Sequence, residues 1–558
     1  MKDRYIKLMG KALSAYTDEH IQRYFDDVRT NGLTEHGFAR LTSNMGILIA
    51  HGIRCDLKPL FIEMMTFCCQ TIPTVYAAND FSVREIICCI RETQKSGAFE
   101  QDLIDEWKQD ISKINPLTCY TVYAKTVEDP VKNWALFTGV SEFFRQKEGL
   151  CSSDEFIEMQ IGSQLKWIED NGMYMDNEGD VHHPMTYDLV ARGLFMLLLN
   201  EGYRGRYYEE IDDILRRSAL VSLKMQSPNG EIPFGGRSNQ FLHNEPWLAV
   251  LYEYEARRYA KENNTNLAKT FKSASKRAID VTERWLDQKP IRHIKNRFPT
   301  ETKHGCENYA YFDKYMITTA SFLYACYLVC DDTIETCNQD DVKPSVFETS
   351  YHFHKVFAKA GGYGLEFDTN AHDIYDASGL GRVHRVGAPS TICISTPCPQ
   401  NPSYTLPTDK VGALSLCAGV FDGENWLYAL DNQTKYNLIE QSTDDLNAYV
   451  TFENVFANGS KVISEYVVNE DGVKVKIKGN KKICYLLPVL NFDGETYVAV
   501  TQKEKSLEVS YKGWICRYVT DGNIINTQKT CSNRNGFYNK YLICADKEIN
   551  LKIEIIKA

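Results

Sequence analysis

From residue 1 to about 335, apolar side chains recur three and four positions apart in stretches of 12 to 20 residues broken by Gly, Pro or Asn. That spacing predicts helices, clearest over 154–169, 187–201 and 207–225, and again over 246–261, 266–285 and 315–330. Asn171-Gly172, Gly202 and the turn 227–230 read as their stops. Ten to twelve helices in hairpin rhythm, without a fixed-period repeat, suit a closed or nearly closed α/α toroid better than an open solenoid.

After Asp331-Asp332 and the polar stretch 335–343 the period changes to two. Val473, Val475 and Ile477 alternate with Lys474, Lys476 and Lys478, and 551–556 alternates likewise. The Asp-Gly pairs at 471–472, 493–494 and 521–522 supply turns between short strands. The expected organisation is an all-helical toroid over residues 1–340 followed by an antiparallel β-sandwich over 341–558.

A chain of 558 residues with 43% hydrophobic content can build two cores. Its net charge of -11 is spread without basic runs, which argues against nucleic-acid or membrane-surface partners; an acidic ligand would need a local basic pocket. The opening residues lack the apolar core of a secretory leader, and no segment reaches the ~20 apolar residues of a membrane span, so a cytoplasmic location is expected. The eighteen cysteines include Cys68-Cys69 and Cys88-Cys89 in apolar helical runs, where thiols act as small buried hydrophobes in a reducing compartment. CxxC, HExxH and GxxxxGK[ST] are absent, and no cofactor or metal is expected; nothing in the sequence fixes an oligomeric state.

Four loops carry more chemistry than packing needs. Residues 230–247 place Arg237, Asn239, Gln240, His243, Asn244 and Glu245 together after two glycines, with Asn244 or Glu245 expected to cap the helix opening at Pro246. Residues 304–315 hold His304, Glu307, Tyr309, Tyr311, Asp313 and Tyr315, where a tyrosine beside a cation could act as base, or else simply pack. Residues 179–188 hold His182-His183 before Tyr187 and Asp188; at most one of the two histidines is expected to face a site. Asn133 and Trp134 offer an amide for a carboxylate and a ring for a sugar face, with core packing of Trp134 the alternative.

A helical toroid followed by a β-sandwich, with His243-Asn244 lying 66 and 68 residues before Tyr309 and Tyr311, resembles the heparinase II/III-like and alginate-lyase-like polysaccharide lyases. The order of His and Asn is reversed from the family's usual one. The resemblance implies β-elimination at a uronic acid in an acidic oligosaccharide or polysaccharide, without a cofactor. It implies His243, Tyr309, Tyr311 and a β-domain histidine, His384, as catalytic, ahead of His352, His354 and His372, of which the first two look to share one strand face. Arg237, Asn239, Asn244, Asn133, Trp134, Glu245, His304, Tyr187 and Arg382 would bind substrate, with Glu307 and Arg382 behind the reacting groups. An exo mode on imported oligosaccharides follows from the expected location. The rivals are a glycoside hydrolase on the same toroid, drawing two carboxylates from Asp188, Glu231, Glu245, Glu307 and Asp313, and a glycan-binding protein without catalysis.

Overall fold

The computed structural model describes residues 1–77, 79–176, 182–337, 343–431 and 433–558. Its helices are α1 (Lys2–Leu13), α2 (Asp18–Asn31), α3 (Gly37–Ala50), α4 (Lys58–Thr71), α5 (Val83–Ser96), α6 (Gln101–Ser112), α7 (Pro116–Cys119), α8 (Trp134–Lys147), α9 (Asp154–Leu165), α10 (Met185–Asn200), α11 (Tyr208–Met225), α12 (Asn244–Lys261), α13 (Thr265–Leu286), α14 (Phe312–Tyr315) and α15 (Thr318–Val329). The expected helix over 315–330 starts three residues later, because Phe312–Tyr315 forms a separate turn.

Six of these helices form an inner ring in which α3, α5, α8, α10, α12 and α15 pack in sequence and α15 returns to α3. Burial explains which helices are inner. A surface helix needs one apolar stripe, and α2 buries only Ile21, Phe25 and Val28 while α6 buries Ile104, Trp107 and Ile111. By contrast α3 and α10 are buried on every face. Charges that the inner helices bury are paired, as in Asp188 with Arg192 on α10 and Glu142 with Arg145 on α8 at 2.6 Å. Outside the ring, α1 packs on α15 and Arg4 joins Asp280 at 2.6 Å, tying the first helix to α13.

The strand-rich half starts with a four-stranded antiparallel sheet, β1 (Ser345–Glu348), β2 (Lys355–Ala360), β3 (Tyr363–Asp368) and β4 (Gly379–Arg385). An eight-stranded antiparallel sheet runs from Ala499–Gln502 at one edge to Lys435–Thr443 at the other, and a five-stranded sheet from Asn523–Asn533 to Trp426–Tyr428. The large sheet faces both smaller ones, giving a two-layered sandwich. The two alternating segments are neighbours there: Val473, Val475 and Ile477 oppose Ile553, Leu551 and Ile549, all buried. His352 and His354, expected on one strand face, lie instead in the turn before β2, where His354 takes a φ of 46°.

The small sheet leans on the helical half at the segment after α11. Lys359 donates to the carbonyls of Leu223 (3.0 Å) and Gln226, and Arg382 to the carbonyl of Ile232 (2.8 Å) and to Glu366 (2.7 Å). Gly236 N donates to Asp376 at 2.7 Å. Gly235 and Gly236 have φ of 135° and 78°, and a Cβ on Gly236 would stand 2.7 Å from the Cα of Pro184. The loop bearing Arg237 is therefore clamped between the start of α10 and the sandwich.

Candidate active site

All six inner helices begin at the same end of the ring, and their first turns enclose a pocket of about 120 Å3. His36 and Arg40 come from α3, Phe81 from just before α5, Trp134 and Phe137 from α8, Thr186 and Tyr187 from α10, and His243 from the residue before α12. Lys314 and Tyr315 lead into α15. None of the six starts carries a side-chain cap. Their leading N–H groups, each helix end worth about half a positive charge, thus converge on one space and favour an anion there.

The rim comes from the clamped loop. Ser238, at a φ of 65°, puts its Oγ 2.8 Å from the Tyr309 hydroxyl and 3.2 Å from that of Tyr187. The Arg237 guanidinium lies over the Tyr187 ring at 4.9 Å and 3.5 Å from Asp176, to which Asn133 also donates. Phe241 stacks on Tyr315 at 4.6 Å and on His243 at 5.2 Å. Beneath, Arg40 is held by Glu85 at 2.9 Å and donates to Thr318 at 2.8 Å.

Burial and neighbouring cations set the protonation states. His243 is pushed down to about 3 by burial and then by Arg40, His293 and Lys295, so it is neutral at pH 7, and its Nδ1 has no partner in the protein. His36 is lowered for the same reasons. Burial raises the phenols of Tyr187, Tyr309 and Tyr315, which therefore keep their protons. Arg40, Arg237 and Lys314 supply positive charge, the last held below the usual lysine range by burial. Among the described residues that line the pocket none is Asp or Glu, and Asp176, raised by burial, stands behind Asn133 and Arg237. The space offers a basic nitrogen, phenolic acids and cations.

The structure brings His243, Tyr187, Asn133 and Trp134 into the lining of this pocket, sets Tyr309 and Arg237 at its rim against Ser238 and Tyr187, and sends the other expected residues elsewhere. Tyr311 is 66% exposed and lines a separate cleft with His304. Asn239 and Asn244 shape the loop: Asn239 donates to the Pro233 carbonyl (2.9 Å), and Asn244 to those of Ser238 (2.9 Å) and Asn239 (2.6 Å). Neither Asn244 nor Glu245 caps α12, which already starts at Asn244. Glu245 is buried against Lys295, and Arg382 is spent on Glu366 and backbone. His384 lies buried in the junction with Nδ1 2.9 Å from Ser227 Oγ and Nε2 3.0 Å from Ser395 Oγ, so both nitrogens are engaged outside the pocket.

The carboxylates that a hydrolase would draw on are engaged as well. Asp188 holds Arg192, Glu307 holds Arg534 at 2.6 Å, Asp313 holds His20 at 2.7 Å, and Glu231 accepts from Ser227 (2.7 Å) and Ser390 (2.6 Å). His182 packs edge-on to His354 and His372 at 5.1 and 5.2 Å, and His183 beside His352 at 5.5 Å. Among the described residues no group of three His, Cys, Asp or Glu side chains is placed to hold a metal ion. Sequence reasoning missed His36, Arg40, Ser238, Lys314 and Asp176. Arg40 left a signal, being the only charge in α3.

No protein-family model matches the chain, and no curated protein does. Among solved structures, the chain is similar to heparinase III (10% identity, TM-score 0.49, covering 93% of this chain and 77% of that one). It is similar to a mutant heparan sulfate lyase HepC from Pedobacter heparinus (9%, TM-score 0.45, 94% and 76%) and to a family 88 glycosyl hydrolase from Bacteroides vulgatus (12%, TM-score 0.35, 59% and 99%). These likenesses concern the course of the chain.

Proposed function

We propose that the protein is a lyase that cleaves the C4 glycosidic bond of a uronic acid in an acidic saccharide by β-elimination. The observation that carries this reading is the composition of the toroid pocket: a neutral imidazole, the protonated phenols of Tyr187 and Tyr315 and the cations Arg40 and Lys314, with no carboxylate in the described lining and with Arg237 and Tyr309 beside it at the rim. Removing the C5 proton requires that the adjacent carboxylate be neutralised and the developing enolate be held. Arg237, Arg40, Lys314 and the six uncapped helix starts supply that field. The neutral His243 imidazole takes the proton, electrons move into the C4–C5 bond, and the C4–O bond breaks as the Tyr309 hydroxyl protonates the leaving oxygen. Trp134 and Asn133 border the sugar.

Hydrolysis of a glycoside instead needs two carboxyl groups about 5 to 9.5 Å apart, and the acidic candidates are engaged in ion pairs and hydrogen bonds elsewhere. The small pocket suits the end of a chain better than its middle, which supports exo action. Eighteen free thiols fit a reducing compartment and hence an imported oligosaccharide. The test is ultraviolet absorbance during incubation with a panel of uronate oligosaccharides. A rising chromophore from an unsaturated uronate supports the reading; reducing sugar released without it overturns it.

A further inference from the structure

We propose a second saccharide site, for an acidic sugar unit, in the cleft formed by residues 291–296, the outer side of loop 303–312 and Thr405. The cleft measures about 530 Å3, inside the roughly 300–1,000 Å3 typical of ligand pockets. It stands back to back with the toroid pocket across one thin wall. Phe241 bridges Ile294, Leu242 N donates to the His293 carbonyl (2.9 Å), and Lys295 N to that of Gln240 (2.8 Å). Phe241 and Tyr315 line the pocket, whereas Ile294 and Ala310 of the same small apolar cluster line the cleft. The loop serves both sides, with the Tyr309 hydroxyl reaching Ser238 and Tyr311 turned outward.

The lining fits an anionic sugar. Arg292, Lys303 and His304 are gathered there, while the one carboxylate in the described lining, Glu307, is neutralised by Arg534 at 2.6 Å. The Nε of Arg292 and Nδ1 of His304 have no hydrogen-bond partner in the protein. A carboxylate or sulfate seated between the Arg292 and Lys303 cations, within reach of the His304 ring, would lay its sugar toward Tyr311, a large aromatic left 66% exposed. Covalent chemistry is a poor fit, since burial and Glu307 push the Cys306 thiol up to about 11. The inference rests on the acidic-saccharide class of the preceding reading, not on β-elimination.

The test is calorimetric titration of the full-length His243→Ala protein, in which turnover should be slowed by about 10²–10⁴, with digalacturonate, dimannuronate and a hyaluronan disaccharide, and with cellobiose as the uncharged control. At least one acidic disaccharide should bind, and Tyr311→Ala combined with Lys303→Glu should weaken it by roughly tenfold or more, the scale of one lost aromatic face and one lost charge. Both residues are exposed, so the fold should survive, as circular dichroism would verify. Binding indifferent to the two changes, equal binding of cellobiose, or no binding of any acidic probe overturns the site. Acidic disaccharide binding that depends on Tyr311 and Lys303, with the wild-type protein forming no unsaturated product from the uronate panel, would leave the cleft standing and remove the lyase reading instead.

Discussion

At the scale of single residues, the account turns on His243 being uncharged. With its pKa near 3, the imidazole stays a base through the range where an ordinary histidine, near 6.5, would be lost. The rate should therefore show no inflection around pH 6.5, and one there would point to a solvent-exposed base. His243→Ala and Tyr309→Phe should each lower kcat by about 10²–10⁴, the usual contribution of positioned acid–base groups, with KM changing little. Stability has its own pH signature. His243 and His384 are held at about 3, the latter because burial outweighs the pull of Glu231, and His293 at about 4. Between those values and roughly 6.5 the unfolded chain binds the extra protons, so this stability is full above that window and lost as pH falls through it. Tm measured from pH 7 to 4 should decline, and less steeply in His293→Gln; a flat curve in the wild type would contradict the assignment.

At the scale of elements, the ribbon of residues 240–243 and 293–296 holds the pocket wall in place. Its buried anchor is the ion pair of Lys295 and Glu245. Lys295→Met leaves a lone buried carboxylate and should cost about 3–5 kcal/mol in urea unfolding, with Lys295→Met/Glu245→Leu recovering most of it. A single-variant loss under about 1 kcal/mol would mean the pair carries no structural role. Helices such as Tyr208–Met225 and strands such as Gly472–Gly479 were legible because each keeps one period over its length. The start of α12 was not, since the polar side chains of Asn244 and Glu245 look like caps but are drawn to loop carbonyls and to Lys295. Loop 230–247 announced itself by polar density. Lys314 did not, and Arg40 only as a lone charge in an apolar helix, because closing the ring brings their distant segments together, and composition cannot tell that Tyr309 turns to Ser238 while Tyr311 lines the cleft.

For the whole molecule, we propose that residues 1–340 and 341–558 are two units that unfold together. Lys359, Arg382 and His384 of the sandwich all bind atoms of the segment after α11 or of its last turn. One calorimetric transition is expected for the full chain, and two well-separated transitions would argue for independent units. The same junction steadies the loop on which Arg237 and Ser238 ride, so the sandwich supports the pocket without entering its described lining. The account's central claim is elimination rather than hydrolysis, and the most direct measurement is product mass after cleavage of a uronate oligosaccharide in ¹⁸O-labelled water. Elimination predicts two fragments summing to the substrate mass, one of them unsaturated, with no ¹⁸O in either. A fragment carrying one ¹⁸O at its new reducing end would contradict the account and return the search to the carboxylates.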